Sequence, residues 1–544
     1  MTSTSAVLPL LLLLLLGLSS ALGARFDESL LVRSLPDGKV LLSLDFRLSR
    51  DGAAPAGHYT LFPQPLGDVV RAHDLTALHV TYAQGRFRSA DWPSDVVAAA
   101  PPGVEVWAEF GRGNASASAS PPADGGVLSQ TARLLREDSS SRSPWSYLMQ
   151  TLGGVYCGAL AGMAAADVRP GGGLGAAVSH GDVHYARAPR ETLCTENMTP
   201  ASKMLPCGRA AGIGRLLAPH GVLASAYHAM HVDVARDEET GEVVLEQAVR
   251  IVLAPDDPRL VHIADELDAC PLASSSSVVV QLSAGHTSVA TGARKPDAVD
   301  GMQTFTYDLA AGGPLPSLAL AADEDRTGTF GSALGHGTDV TVRRVALGLS
   351  MTTGVFKITL ENHADEPRDI SYLDVLPWYF RLYTHTLRAA VNGKQADVDA
   401  IVYSRRVLVA DDRDARPSVV EFELALAAHA RVELSIDFDK AFLGWLEHPP
   451  DAHHGFDAGA AIVTYDAGRT RVYSEPVIIQ HALPDFSMPF NVIMLSCTVT
   501  SLLFGSLVAI LVKEWPRPGD PPPPPPPLVA IMRAISRLIK PKAA

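Results

Sequence analysis

The sequence predicts a mainly β protein with some α, built as luminal antiparallel β-sandwich-like domains and carried by one C-terminal transmembrane helix. Period-two alternation of apolar and polar residues recurs through the middle of the chain, the signature of half-buried strands. Gly and Pro are abundant, 44 and 40 of 544 residues, and supply the turns that many short strands need. Near the C-terminus "NVIMLSCTVTSLLFGSLVAILV", Asn491 to Val512, carries no charge. That run is long enough to cross about 30 Å of hydrocarbon.

At the N-terminus an apolar run, Val7 to Leu18, leads to the small-residue exit Ala21-Leu22-Gly23, with no Lys or Arg before it. It is too short to span a bilayer and fits a cleaved signal peptide, residues 1–23. In "LLSLDFRLS", Leu42, Leu44, Phe46 and Leu48 fall on one face and Ser43, Asp45, Arg47 and Ser49 on the other. "LHVTY", "VEVWAEF", "VFKITL", "EFELAL" and "RVELSIDF" repeat the scheme, which predicts sheets packed as sandwiches. A helix is expected near 144–164, where Trp145, Leu148, Leu152, Val155 and Tyr156 recur at spacings of three and four. Ser143 is its N-cap, before Pro144. Cys157 lies beside this stripe, where a buried free thiol behaves as a small hydrophobe. The Ala/Ser/Gly/Pro-rich stretches 111–143 and 170–175 read as loops. A boundary between Asp233 and Cys270, set at 250/251, gives luminal domains 24–250 and 251–488 of ordinary size.

The apolar stretch 490–512 is the expected membrane span, since a core helix of that length would keep a polar face. Beyond it, residues 513–544 hold Lys513, Arg517, Arg533, Arg537, Lys540 and Lys542 against Glu514 and Asp520. Positive flanks stay cytoplasmic, so the expectation is a type I protein with the bulk of the chain luminal. Pro521 to Pro527 is an extended spacer, because proline cannot donate to a helix or a ladder. Leu528, Ile531, Ile535 and Leu538 then form a stripe suited to a membrane surface. The final "KPKAA" has the K-x-K-x-x form of a dilysine signal, Lys540 and Lys542, for retrieval to the endoplasmic reticulum.

The net charge of −14 argues against a nucleic-acid partner, which needs clustered Lys and Arg. No G-x-S-x-G, H-E-x-x-H, Walker or C-x-x-C pattern occurs, so neither a catalytic residue nor a cofactor or metal is expected. Two histidine groups have metal-ligand chemistry: His228, His231 and Asp233, and His448, Asp451, His453 and His454. In the first, strand alternation puts His231 and Asp233 on one face and His228 on the other, which favours polar residues on a strand. Sequons occur at Asn114 and Asn197. Of five cysteines, Cys497 falls in the span, leaving Cys157, Cys194, Cys207 and Cys270 in an oxidising lumen. A catalytic cysteine needs a positioned His, whereas a luminal cysteine is more often disulfide-bonded. On residues alone, Cys194 can pair with Cys207 or leave the chain.

"HYTLFPQPLGDVV", "LCTENMTPASKMLPC", "CPLASSSSVVV", "LDVLPWYFRLYTHTL" and "YSEPVIIQHALPDFSMPFNVI" together resemble the phosphatidylinositol-glycan class T subunits of GPI transamidase. They occur in that family's order and cover nearly all of the luminal part and the span. The Gly/Ala-rich inserts, the Pro run and the tail helix depart from it, as does Ala201-Ser202 in place of a Trp-Lys pair. The resemblance implies a non-catalytic subunit of a complex that cleaves a C-terminal signal and joins the new carboxyl end to a preassembled GPI. It implies as partners a caspase-like catalytic subunit, the other membrane subunits and, through the complex, GPI lipid and proprotein substrates. It further implies that Cys194 is disulfide-bonded to the catalytic subunit. Cys207 with Cys270 then becomes the intrachain pair, closing a loop of about 64 residues for roughly 4 kcal/mol, against roughly 3 kcal/mol for Cys194 with Cys207. The competing readings are a free-standing luminal hydrolase using the histidine groups and a cell-surface adhesion or receptor ectodomain. Retrieval to the endoplasmic reticulum counts against the latter.

Overall fold

The computed structural model describes residues 24–35, 37–50, 61–87, 92, 100–111, 143–169, 183–189, 191, 193–209, 212–217, 219–236, 241–253, 273–282, 286–290, 297–299, 302–309, 318–322, 338–348, 350–410, 416–444, 447–448, 451–466, 470–485, 487–512 and 519. The expected signal peptide, Asn114, Cys270, the Pro run and the tail with Lys540 and Lys542 lie outside the described residues.

Strands β1 (Ala24–Ser34), β2 (Val40–Arg50), β3 (Leu75–Gly85), β4 (Gly103–Phe110), β5 (Ala166–Val168), β6 (Val183–Ala188), β7 (Tyr227–Arg236), β8 (Val243–Leu253) and β9 (Ser275–Leu282) belong to one 11-stranded sheet. After a separate two-stranded sheet of β10 (His286–Ala290) and β13 (Leu318–Ala322), the large sheet is completed by β11 (Asp297–Val299) and β12 (Met302–Asp308). Its order is β11-β12-β9-β1-β2-β8-β7-β3-β4-β6-β5. Neighbours are antiparallel except β1 and β9, which run parallel with Leu30 opposite Val278. Strand β8 runs across the expected boundary at 250/251, and the sheet continues to Asp308.

The two faces of this sheet are covered differently. On one, Leu44, Phe46, Val80 and Val106 pack with residues of helices α1 (Gln64–Ala72), α2 (Pro144–Tyr156) and α3 (Thr195–Lys203), among them Leu66, Leu148 and Met198. On the other, Leu41, Ala77, Trp107 and Tyr227 share a core with Leu373, Val419, Ile462 and Tyr473. This half is thus one broad sheet between two layers, within the mainly β class that the sequence predicted. Helix α2 starts as expected, with Ser143 accepting from the Ser146 N–H, but ends at Tyr156, short of 164. Cys157 takes a left-handed conformation, φ 54°, and the Gly158 N–H returns to the Gly153 carbonyl, a Schellman-type stop. Cys157 is exposed, not buried beside the stripe, because that turn swings it off the helix.

The sandwich comes later in the chain. Strands β14 (Val340–Leu347), β15 (Thr353–Asn362), β16 (Arg368–Leu376), β17 (Phe380–Val391), β18 (Lys394–Ala396), β19 (Val402–Leu408), β20 (Ser418–Leu426) and β21 (Arg431–Lys440) are followed by β22 (Phe456–Ala458), β23 (Ile462–Tyr465), β24 (Thr470–Tyr473) and β25 (Val477–Ile479). They form sheets β14-β15-β21-β17-β18 and β19-β20-β16-β23-β24, while β22 pairs β25. Strands β15 and β21 alternate as expected, burying Phe356, Ile358, Leu360, Leu434, Ile436 and Phe438. Between the sheets, Arg344 on β14 meets Asp374 on β16 at 2.5 and 2.7 Å, and Asn362 Nδ2 donates to the Leu426 carbonyl at 3.3 Å.

The compact unit that starts at Leu483 contains helix α4 (Ser487–Val512). Its residues Phe490–Val512 have mean hydropathy 2.2 and no charged side chain, long and apolar enough to cross a membrane. Its large apolar side chains are exposed, among them Leu502, Phe504 and Leu511, so the helix calls for an apolar environment on all sides.

Candidate functional site

Two places concentrate chemistry. The first is the start of α3, at the centre of "LCTENMTP". Cys194 is the N-cap, with extended backbone (φ −114°, ψ −177°), and is a free, part-exposed thiol. A cysteine is an unusual cap, because sulfur is a weak acceptor. The deficit is met from the third helical residue: Asn197 Oδ1 accepts the Cys194 N–H at 2.9 Å and its S–H at 3.0 Å. Asn197 Nδ2 donates to the carbonyls of Tyr156 and Cys157, each at 3.0 Å. These are orphan acceptors at the end of α2. One amide therefore ties the end of α2 to the start of α3 and fixes the orientation of the thiol.

This geometry bears on Asn197 as a candidate glycan acceptor. Its side chain is only 2% exposed and both amide hydrogens are engaged, leaving no access for a glycan on Nδ2. Cys207 lies in a 3₁₀ turn, Pro206–Arg209.

The second place is the sheet face turned away from the helices. As alternation predicts, His231 and Asp233 share that face and His228 points to the other, where its Nδ1 lies 3.1 Å from the Ser225 hydroxyl. The structure brings His79 and Glu105 to the same patch, which the sequence did not single out. His79 Nδ1 is 2.5 Å from Asp233 Oδ1, its Nε2 is 2.7 Å from the Thr81 hydroxyl, and Thr81 reaches His231 Nδ1 at 3.0 Å. The His79 ring stacks on Trp107 at 5.2 Å. Glu105, 1% exposed, accepts from the hydroxyls of Tyr185 at 3.1 Å and Tyr473 at 2.7 Å. Burial pushes the Asp233 carboxyl up, but the adjoining His79 outweighs it and holds the group below its usual range. Burial, aided by the Arg250 charge, lowers His231 to about 3, so this ring is neutral. Burial, then the Glu105 charge, raises Tyr473, which remains a donor.

No group of three or more His, Cys, Asp or Glu able to hold a metal occurs among the described residues, in this patch or near His448, Asp451, His453 and His454. The last two lie in a 3₁₀ turn, Ala452–His454. The hydroxyl that adjoins the His79–Asp233 pair, that of Thr81, is 1% exposed and shared between His79 and His231, and Cys194 is bonded to an amide, not to an imidazole. The patch is built to hold polar groups in place.

The family model described as "Gpi16 subunit, GPI transamidase component" matches residues 9–262 and 264–520. The GPI-anchor transamidase component PIGT of Mus musculus is 28% identical over 614 residues, which cover 98% of this chain and 98% of that protein. The GPI transamidase component GPI16 of Saccharomyces cerevisiae is 25% identical over 576 residues, covering 92% and 90%. Among solved structures, a GH20 exo-β-N-acetylglucosaminidase from Vibrio harveyi aligns with 27% of this chain and 19% of its own at 13% identity and a TM-score of 0.17, too low to bear on fold or function.

Proposed function

The chain belongs to the Gpi16 subunit family, components of GPI transamidase, and on that premise we propose that it is the non-catalytic scaffold of that complex. In this reading the nucleophile belongs to a separate caspase-like subunit, and this chain stabilises it through a disulfide from Cys194. The protein sits in the endoplasmic reticulum membrane as a type I protein, with residues 24–488 luminal, residues 490–512 of α4 spanning and Lys540 and Lys542 in the cytoplasmic tail. Through the complex it serves GPI lipid and proprotein substrates.

The observation that carries the reading is the state of Cys194. It is unpaired among the described residues, part-exposed, and held at a helix terminus by an amide that is itself locked between two helices. A thiol so fixed loses little freedom on forming an intermolecular bond. The S–H hydrogen bond it gives up is a weak one. The wide, doubly covered sheet suits a body that positions partners.

Peptide mapping of the unreduced complex tests this. Recovery of the Cys194 peptide joined to a cysteine of another subunit supports the reading. Recovery of Cys194 joined to Cys207 or Cys157, or GPI-signal cleavage by the isolated chain, overturns it.

A further inference from the structure

Beside β24, the polar face of the first sheet opens into a cleft of about 630 Å³, within the usual size of small-ligand sites. Its charges come in couples. Arg250 Nη2 meets Asp45 at 2.7 Å, Arg47 meets Glu246 at 3.0 Å, and Asp233 is held by His79 at 2.5 Å. Asp27 meets Arg25 at 2.8 Å and Arg471 lies 3.8 Å from Glu105, while Glu28 accepts from the Ser276 hydroxyl at 2.6 Å. Its hydrogen-bonding capacity is nevertheless not exhausted. Among the described residues, Arg250, 9% exposed, has no partner for Nε and Nη1, and His231, 8% exposed, none for Nε2. Such atoms are costly to leave unmet in a buried site, and they lie on two residues that line this cleft.

The pairing selects the ligand. An anion would meet guanidinium groups already neutralised by carboxylates that repel it, and a cation would meet the reverse. A vicinal diol suits such couples, since one hydroxyl donates to a carboxylate oxygen while its neighbour accepts from the guanidinium beside it. Hydroxyls of Ser275 and Thr470 and the Tyr473 ring complete a wall that offers both hydrogen bonds and an apolar surface. We propose that this cleft is a binding site for a neutral saccharide of one or two rings. The assignment goes beyond the scaffold reading and does not depend on Cys194.

The test is calorimetric titration of the full chain in its detergent-purified complex with mannobiose, cellobiose and chitobiose, with inorganic phosphate and ethanolamine as charged probes. Saturable binding of at least one disaccharide, without binding of either charged probe, is expected. Arg47 and Glu246 have side chains 64% and 50% exposed, so substitutions there spare the fold. Arg47→Gln and Glu246→Gln should each weaken the saccharide about tenfold, and Arg250→Gln more. Absence of saturable binding by all three disaccharides overturns the proposal. So does saccharide binding that these substitutions leave unchanged, or saturable binding of phosphate or ethanolamine. The disulfide map reads the scaffold proposal separately, so either can fail alone.

Discussion

Asn197 Oδ1 accepts two hydrogen bonds from Cys194, one from the backbone N–H at 2.9 Å and one from the thiol at 3.0 Å. Because Asn197 Nδ2 also satisfies two carbonyls at the end of α2, Asn197→Ala removes a cap and leaves buried acceptors unmet. A loss of about 2 kcal/mol is expected in chemical denaturation of the purified chain. Mass spectrometry of the wild-type protein should recover the Asn197 peptide without a glycan.

On the proposed intermolecular disulfide, Cys194→Ser should abolish a thiol-sensitive covalent species with another subunit, while Cys157→Ser leaves it. A serine hydroxyl can still donate to Asn197 Oδ1, so the fold should keep its stability and only the tether is lost. Transamidation should weaken rather than vanish, since a tether raises the effective concentration of subunits that other contacts already hold. Non-reducing gels paired with an assay of surface GPI-anchored reporters measure both.

The two sheets of the sandwich are pinned by Arg344, whose side chain is fully buried, and Asp374, 4% exposed. Arg344 also donates to the carbonyls of Ala458 and Gly459. Asp374→Ala strands that guanidinium in the core and should cost about 3–5 kcal/mol. Arg344→Met combined with Asp374→Leu removes both charges and should recover most of the loss, read as the urea midpoint.

His231 is lowered to about 3, chiefly by burial, and His228 to about 4 for the same reason. Unfolded, both rings titrate near the ordinary 6.5. The unfolded chain therefore binds protons first as the pH falls. Stability from these rings is fully present above 6.5 and is lost progressively below it, toward 4 for His228 and 3 for His231. For His231 the loss amounts to about 2 kcal/mol by about pH 5. His231→Gln should flatten the dependence of unfolding free energy on pH between about 7 and 5 by that amount. An unchanged slope would show that the ring is not buried neutral.

Much of the architecture was legible because strand periodicity is local. "LLSLDFRLS", "VFKITL" and "RVELSIDF" each folded as half-buried strands on the expected residues, since side chains two apart must share a face. Ser143 before Pro144 marked the start of α2 for the same reason, because a cap is satisfied within a few residues. The stop was missed. It rests on Cys157 entering a conformation that glycine usually takes, and residue type gave no sign of it.

The sequence by itself determined the strands, the uncharged C-terminal helix and, through ordered motifs such as "LCTENMTP", the family. It also put His231 and Asp233 on one face. Only the tertiary structure decided what that face meets. Glu105 and Tyr473 are 368 positions apart and join at 2.7 Å. Alternation marks a face as polar, but whether solvent or another layer covers it depends on contacts distant in sequence, which no local pattern records. In the same way Asn197 carries a sequon, yet the end of α2 folds back on it and turns it into the clasp that holds Cys194.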